Sequence, residues 1–437
     1  MPSIFFILLT FNIVENMQVF KFGGSSIRDA DGIKNLSEIV SKNRQCKVVV
    51  ISALGKTTNA LEDVFFDYYS NNKQWIGKLE TIKDFHIHIL SELIPEKDSP
   101  VYAALKSSFS DLENRLMRDP GSNLDKEYDQ IVSFGELWSS VMVESFLNRE
   151  NILAKWIDSR DIIITDDNFR EANLSWDKTE QAIKENIDLD TGHLYVIQGF
   201  VGGTPDGSST TLGREGSDFT AAILGSILNA ESVTLWKDVQ GILNADPSTF
   251  DNPEKLEQIS YLEAVELAFF GAKVIHPKTI KPLYNKHIPL FIKSFINPDS
   301  IGTIIHSIEH PVEMIPVFVK KEHQILVSLR PRDLSFMIEQ SFGQIFSVFN
   351  RNKVKINLVQ TSATTLSICA DNYQDRIDKI LEELNEDCRI TFNHDVQLVT
   401  IRHYTDEAIH LMIAKKQVLI EQKSRQTVHF VLRENQN

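Results

Sequence analysis

The sequence lacks the features that mark secreted and membrane proteins. Only three of its 437 residues are cysteines, Cys46, Cys369 and Cys388. Their wide spacing forms neither a metal-ligand set nor a redox pair, so we expect reduced thiols in a cytoplasmic protein. The apolar run at residues 4–9 is too short to cross a bilayer, and no low-complexity tract occurs.

An excess of positive charge is also missing. The chain carries 45 Lys and Arg against 60 Asp and Glu, a net charge of −15. This balance argues against nucleic acid or an anionic membrane as a partner, although one cleft can still be positive. With 42% hydrophobic and 24% charged residues, the composition is that of a globular protein of two to three domains.

The first sixteen residues are expected to be an unstructured or accidental extension. A signal peptide would carry Lys or Arg before its apolar run, and these residues contain neither there. A strand-like segment starts at Met17, where we expect translation to begin.

Up to about residue 300, short β-branched runs alternate with helical patterns, which indicates an α/β sheet covered on both faces. Predicted strands lie at residues 18–22, 48–52, 195–198, 232–235 and 289–293, and residues 56–150 are mostly helical. Nearly continuous apolar runs favour a parallel sheet.

The pattern changes between residues 297 and 311. Strands are predicted at 324–329, 355–360 and 365–370, and helices at 340–350 and 374–386, an order typical of a ferredoxin-like module. A weaker set follows over residues 396–432. The predicted domains are 17–306 and 310–437, and the second repeat of the latter is short.

Four segments at predicted strand ends carry candidate chemistry. KFGGSS (21–26) places a lysine and two glycines before a helix, which suits phosphate, although such a turn alone is usually only structural. Residues 207–218 place Arg214 four residues before Asp218, and an Arg fork suits a carboxylate. Asp238 is predicted to accept hydrogen bonds from a ribose or to fix its loop. Lys273, within an apolar stretch, is predicted to contact phosphate, and His276 to be structural.

One motif is misleading. Gly55-Lys56-Thr57 matches the end of a Walker A loop, but Val50 occupies the position of its first glycine. A P-loop nucleoside triphosphatase is therefore not expected.

The ordered set of segments resembles the aspartate kinases of the amino-acid kinase family, from about Met17 to Ile305. The residues that carry the resemblance are KFGGSS (21–26), SA (52–53), FGE (134–136), TTLGR (210–214), GSD (216–218), ISY (259–261), FGAKVIHP (270–277) and GT (302–303). The resemblance implies a three-layer αβα sandwich with a mainly parallel central sheet, followed by paired ACT regulatory modules of ferredoxin-like fold.

The resemblance also implies ATP-dependent phosphorylation of the β-carboxylate of aspartate, with Mg²⁺ bridging phosphate oxygens. The implied phosphate and nucleotide ligands are Lys21, Gly23, Gly24, Ser25, Ser52, Ala53, Lys237, Asp238 and Lys273. Thr58 and Glu136 would face the amino acid, Arg214 would clamp its α-carboxylate, and Asp218 would orient Lys21. Positioning and charge stabilisation should dominate such a transfer.

The chain departs from the family pattern in both halves. Glu215 stands where glycine is usual and Lys237 where Thr or Ser is usual, which can shift affinity. The implied regulatory residues are Ile338, Ser341, Phe342, Asn357 and Ser362. Asn357 replaces an acidic residue that often faces the effector, so inhibition by lysine or threonine stays a hypothesis.

Two other classes of function remain open. The same fold acts on glutamate, acetylglutamate, carbamate or nucleoside monophosphates, but Arg214 with Glu136 favours a zwitterionic amino acid. A catalytically inactive amino-acid sensor would be expected to lose these charged groups. The length leaves no room for a fused homoserine dehydrogenase, and a homodimer through residues 310–437 is expected because ferredoxin-like edges pair.

Overall fold

The computed structural model describes residues 17–272, 275–308, 314–333, 337 and 339–435. The chain divides into two compact units. The first takes residues up to 242 with 257–264 and 275–307, and the second takes 243–256, 265–274 and the chain from 308 onward. The predicted domains 17–306 and 310–437 divide the chain differently, because they assign 243–256 and 265–274 to the catalytic part. The predicted extension, residues 1–16, lies outside the described residues.

The first unit contains an eight-stranded sheet in the order β10-β12-β11-β7-β1-β2-β4-β3. All its pairings are parallel except that of β11 with β12. The strands up to β12 are β1 Gln18–Phe22, β2 Cys46–Ile51, β3 Ala154–Ile157, β4 Leu194–Gln198, β5 Val201–Gly203, β6 Ser209–Thr211, β7 Ser232–Lys237, β8 Ile242–Leu243, β9 Lys255–Leu256, β10 Gln258–Ser260, β11 Leu290–Ser294 and β12 Thr303–His306. The five strands expected from the sequence are present.

Helices cover both faces of this sheet. The helices between β1 and β12 in the chain are α1 Ala30–Lys42, α2 Thr57–Tyr69, α3 Trp75–Leu93, α4 Pro100–Leu116, α5 Leu124–Val132, α6 Phe134–Arg149, α7 Ser159–Ile162, α8 Trp176–Asn186, α9 Gly216–Ile227, α10 Tyr261–Phe270 and α11 Pro277–Lys286. One face packs Phe20, Phe22 and Ile51 against α1 to α6. The alternate strand residues face α9, which packs on β1, β2 and β7. The predicted three-layer αβα sandwich is confirmed.

The second unit contains a six-stranded antiparallel sheet in the order β14-β15-β13-β16-β18-β17. Its elements are β13 Val317–Pro331, α12 Glu339–Arg351, β14 Ile356–Thr361, β15 Leu366–Asp371, α13 Gln374–Leu384, β16 Cys388–Arg402, α14 Asp406–Ile413, β17 Lys416–Lys423 and β18 Thr427–Glu434. The order from β13 to β16 is that of a ferredoxin-like module, as predicted.

The two strands β13 and β16 are each 15 residues long and serve both halves of this sheet. The end of β13 pairs with β15 and with the start of β16, which completes the first module. The start of β13 pairs with the end of β16, next to β18 and β17, and so supplies the fourth strand of the second repeat. The register shifts between the halves, near His323, whose φ is +53°.

No helix in the part of the chain that the structure describes is long and apolar enough to cross a membrane.

Candidate active site

Lys21 and Asp218 meet where β1 and α9 pack together. The side chains of Phe20 and Phe22 enter the core on one face of the sheet, so Lys21 between them faces α9. There its Nζ lies 2.7 Å from Oδ1 of Asp218, in the first turn of α9. Both side chains are buried, at 10% and 3% exposed, so the ion pair is shielded from water.

Lys237 brings a second ammonium group to the same carboxylate. It ends β7, beside β1, and the alternation of the strand places it on the face that Lys21 occupies. Its Nζ lies 3.0 Å from Oδ2 of Asp218. Although burial raises it, the pKa of Asp218 is lowered to about 2 by the ammonium groups of Lys21 and Lys237. One fixed carboxylate therefore orients two cations.

The glycine loop after β1 lies against the segment after β2. A Cβ on Gly24 would lie 2.5 Å from the carbonyl oxygen of Ala53, so only glycine allows this approach. The amide of Ser52 donates to the carbonyl of Phe22 at 3.2 Å. Gly23 and Gly24 are partly exposed and Ser25 is exposed, which leaves this loop open to a ligand.

Glu136 and Thr58 meet beside this loop, from α6 and α2. The hydroxyl of Thr58 donates to Oε1 of Glu136 at 3.3 Å, and Oε2 of Glu136 is buried without a hydrogen-bond partner. Burial raises the pKa of Glu136 to about 8, against the lowering effect of its hydrogen bonds and of Lys21. A buried carboxyl with an unused oxygen is suited to receive a cationic group.

Arg214 lies exposed in the loop that leads into α9. Gly213 before it has a φ of +74°, and Glu215 after it has a φ of +54°, a conformation that costs energy for a residue with a side chain. Oε2 of Glu215 is buried without a hydrogen-bond partner. Burial lowers the pKa of Lys237, but the carboxylates of Asp218 and Glu215 outweigh it, so the pKa is raised.

The remaining predicted ligands lie at the ends of the sheet or outside the described residues. Asp238 is exposed directly after β7, beside Lys237. Lys273 lies outside the described residues. Nδ1 of His276 accepts a hydrogen bond from the amide of Lys278 at 3.2 Å and caps α11, in agreement with its predicted structural role.

Asp129 is a carboxyl with no exposed surface in α5, and it lies in none of the four segments chosen from the sequence. Burial raises the pKa of Asp129 to about 6, although hydrogen bonds from Arg170 and Thr211 oppose the rise. The available signal was its place among Tyr128, Ile131 and Val132, which are the other buried residues of the helix. An aspartate on an apolar helix face needs a buried partner.

The donor set is compatible with Mg²⁺ bound mainly through phosphate. Among the described residues no group of three or more His, Cys, Asp or Glu forms a metal cage, and the carboxylate of Asp218 is occupied by two ammonium groups. Among the described residues, the exposed carboxylate of Asp238, directly after Lys237, fits such an ion. Mg²⁺ commonly binds in this way, with one or two carboxylates and the phosphates of a nucleotide.

Comparison with known proteins agrees with this geometry. The model of the amino acid kinase family matches residues 16–294. Lysine-sensitive aspartokinase 3 of Escherichia coli is 29% identical over 88% of this chain and 86% of its own. The chain belongs to the amino acid kinase family, and within it to the aspartokinases. It is an ATP-dependent kinase that acts on a carboxyl group of aspartate.

Solved structures extend the likeness of this aspartokinase over both units. The structure of E. coli aspartokinase III in complex with lysine and aspartate has a TM-score of 0.81 and 25% identity, covering 95% of this chain and 96% of the other. The bifunctional aspartokinase/homoserine dehydrogenase 2 of Arabidopsis thaliana is 32% identical over 68% of this chain. The chain spans about a third, 34%, of the length of that relative.

The regulatory residues expected of an aspartokinase are widely placed in the second unit. Ile338 lies outside the described residues, Ser341 is half-buried, and Phe342 packs against the core of the first module. Ser362 forms a turn with Thr365.

Asn357 already has internal partners. Its Nδ2 donates to Gln324 and Asp371, both at 2.7 Å, and its Oδ1 accepts from Lys321 at 2.8 Å. Both hydrogens of the Asn357 side-chain amide are thus bonded within the unit. The cation that its oxygen contacts is the ammonium group of Lys321.

Proposed function

We propose that this aspartokinase transfers the γ-phosphoryl group of ATP to the β-carboxylate of L-aspartate. The products are 4-phospho-L-aspartate and ADP. This reaction is the first step of lysine, threonine and methionine biosynthesis. The observation that carries the proposal is the pair of ammonium groups held by Asp218 beside the glycine loop. A structure of E. coli aspartokinase III in complex with aspartate and ADP, with a TM-score of 0.80, supports it.

The amino acid is held by its two α-substituents. The free oxygen of Glu136 accepts the ammonium group, next to Thr58, and Arg214 binds the α-carboxylate through its guanidinium fork. This leaves the β-carboxylate directed toward the glycine loop and the lysines. A carboxylate is already ionised at neutral pH, so no general base is required.

The transfer proceeds in line. One β-carboxylate oxygen forms a bond to the γ-phosphorus while the bond to the β–γ bridging oxygen breaks, and that electron pair leaves with ADP. Lys21 and Lys237 stabilise the charge on the transferring group, and amides of Gly23, Gly24 and Ser25 donate to its oxygens. Catalysis is then mainly positioning, because the cations are fixed by Asp218 before the substrates arrive.

The nucleotide extends from this point toward the end of β7. Asp238 contacts it, and Ser52 and Ala53 close the pocket on the other side. Mg²⁺, held by phosphate oxygens with Asp238 as the available carboxylate, would neutralise charge on the leaving ADP.

The test is ATP-dependent acyl-phosphate formation, trapped as the hydroxamate. Aspartate, but not glutamate, should give product, and Arg214→Ala should reduce kcat/KM for aspartate by about a hundredfold, since a charged hydrogen-bond pair is lost. Lys42→Ala, a change of an exposed cation in the last turn of α1, at the end of that helix away from the glycine loop, serves as the control. No product from any amino acid would contradict the proposal, and a glutamate product would change the substrate.

We propose, further, that the second unit binds an amino-acid effector, lysine or threonine. Its two ferredoxin-like halves and the lysine in the E. coli aspartokinase III complex support this proposal. Activity measured with saturating lysine or threonine tests it, and unchanged kinetics with both would remove it.

A homodimer through residues 310–437 and a cytoplasmic location complete the proposal. The strands β14 and β17 form the two edges of the antiparallel sheet, which gives a partner sheet a place to pair. A monomer mass in light scattering would contradict the dimer. The three cysteines are free and buried, in keeping with a reducing compartment, and cell fractionation tests the location.

A further inference from the structure

Asp129 is a buried carboxyl that the proposed transfer does not use, yet it has a complete set of donors. Its Oδ2 accepts from the backbone amides of Thr211 and Arg170, each at 2.8 Å. Its Oδ1 accepts from the hydroxyl of Thr211, also at 2.8 Å. One side chain of α5 therefore holds the last residue of β6 and the loop that contains Arg170.

Both of these partners form the base of the Arg214 loop. Thr211 is three residues before Arg214, and the carbonyl of Thr211 accepts from the amide of Ala172 at 3.0 Å. A Cβ on Gly213 would lie 3.2 Å from the carbonyl oxygen of Arg170, so this part of the chain packs directly under the glycine. A movement at Thr211 or Arg170 is transmitted to the backbone that carries Arg214.

The other end of the connection leads to Glu136. The carbonyl of Asp129 accepts from the amide of Ser133 at 3.3 Å, and α6 begins at the next residue and carries Glu136 in its first turn. Asp129 thus joins the helical segment that carries Glu136 to the loop that carries Arg214. Gln130 adds two bonds between the same elements, to the backbone of Ser209 at 2.6 and 3.2 Å.

We propose that Asp129 is a positioning residue that sets the spacing between Arg214 and Glu136 and thereby the selectivity for aspartate over glutamate. The inference rests on the proposed roles of Arg214 and Glu136. Arg214 and Glu136 bind the α-substituents, which aspartate and glutamate share, so their spacing acts by fixing the place of the substrate's Cα. With Cα fixed, the side-chain carboxylate of aspartate reaches the glycine loop, whereas that of glutamate, longer by one methylene, is misplaced. Such a difference supports about 10- to 200-fold discrimination in a rigid site.

The test compares steady-state kinetics of Asp129→Ala, Asp129→Asn and Asn148→Ala with the wild type. Asp129→Ala should raise KM for aspartate about tenfold or more and reduce the aspartate-to-glutamate preference by a similar factor, while KM for ATP changes less than about twofold. Asp129→Asn should restore most of the function, because its oxygen accepts from the amides and its NH₂ donates to the Thr211 hydroxyl.

Asn148 is the matched control, because it also ties a helix to a strand, through two bonds of 3.0 Å to the backbone of Ala154. Asn148→Ala should lower the melting temperature without a change in KM for aspartate. If Asp129→Ala does not fold, Thr211→Val removes only the hydroxyl bond and should raise KM for aspartate about threefold.

Unchanged aspartate KM and selectivity in a folded Asp129→Ala or Thr211→Val, or equal changes in Asn148→Ala, would overturn the inference. A wild type without aspartate-dependent hydroxamate would instead contradict the proposed function.

Discussion

Replacing Glu136 by glutamine should stabilise the substrate-free protein and remove its affinity for aspartate. Burial raises the pKa of Glu136 from 4.5 to about 8 in the folded state. Between these values the folded state binds more protons than the unfolded state, so the stability of the wild type falls as the pH rises. One pKa unit corresponds to about 1.4 kcal/mol, which gives a cost of about 3 kcal/mol at pH 7 and about 5 kcal/mol well above pH 8.

Glutamine has no charge to bury, so Glu136→Gln should avoid this cost. Urea unfolding at pH 5, 7 and 8.5 should show the variant more stable than the wild type by an amount that grows with pH. The exposed Glu150, just after the same helix, gives the matched control Glu150→Gln, whose stability should follow that of the wild type.

Aspartate should reverse the order of stability. A ligand present at a hundred times its Kd stabilises the folded state by about 2.7 kcal/mol, and this gain should be present in the wild type and absent in Glu136→Gln. Because the ammonium group favours ionised Glu136, aspartate binding should release a proton and strengthen up to about pH 8. A stability difference that is the same at pH 5 and pH 8.5 would refute the reasoning.

Three further predictions concern buried ionisable groups. Lys237→Thr should lower kcat/KM for ATP about tenfold, because it leaves the carboxylate of Glu215 uncompensated. Adding Glu215→Gly should restore part of the loss. Additive effects in a double-mutant cycle of the wild type, the two single variants and the double variant would contradict this coupling. Asp218→Asn leaves two ammonium groups uncompensated and should lower kcat by about a hundredfold or more, with ADP binding measured separately; a loss below tenfold would count against the assignment. Burial lowers the pKa of His86 to about 4, so the free energy of unfolding should fall by about 3 kcal/mol as the pH falls from 6.5 to 4. His86→Phe should lack this pH dependence in urea unfolding. The same pH dependence in the variant and the wild type would contradict the role of His86.

The sheet of the first unit was predictable because its strands are buried on both faces. Runs such as CKVVVI in β2 have no polar alternation, and the strand edges agree with the prediction to within about two residues. The long strand β13 was only half predicted. Its first half carries Lys320, Lys321 and His323, and the register shift at His323 breaks the apolar period that marks a strand.

The site was predictable where chemistry is concentrated in short segments. The contacts of Lys21 with Asp218 and of Thr58 with Glu136 join residues that the sequence had already selected. Lys237 reaches Asp218, which Lys21 also contacts, because β1 and β7 are paired neighbours in the sheet. The hydrogen bonds of Asp129 to Thr211 join residues 82 positions apart. Such pairings depend on tertiary packing, which a local pattern does not contain.

The sharing of β13 and β16 between the two halves of the antiparallel sheet has a consequence for synthesis. Val317, at the start of β13, pairs with Arg402, at the end of β16. During translation the first half of β13 must therefore wait without its strand partner until β16 has left the ribosome. The two halves cannot be exchanged or removed as separate cassettes, because a cut in either long strand takes a strand from both. We expect this unit to unfold in one cooperative step. Its refolding should be slow, because it depends on pairing between strands far apart in the sequence.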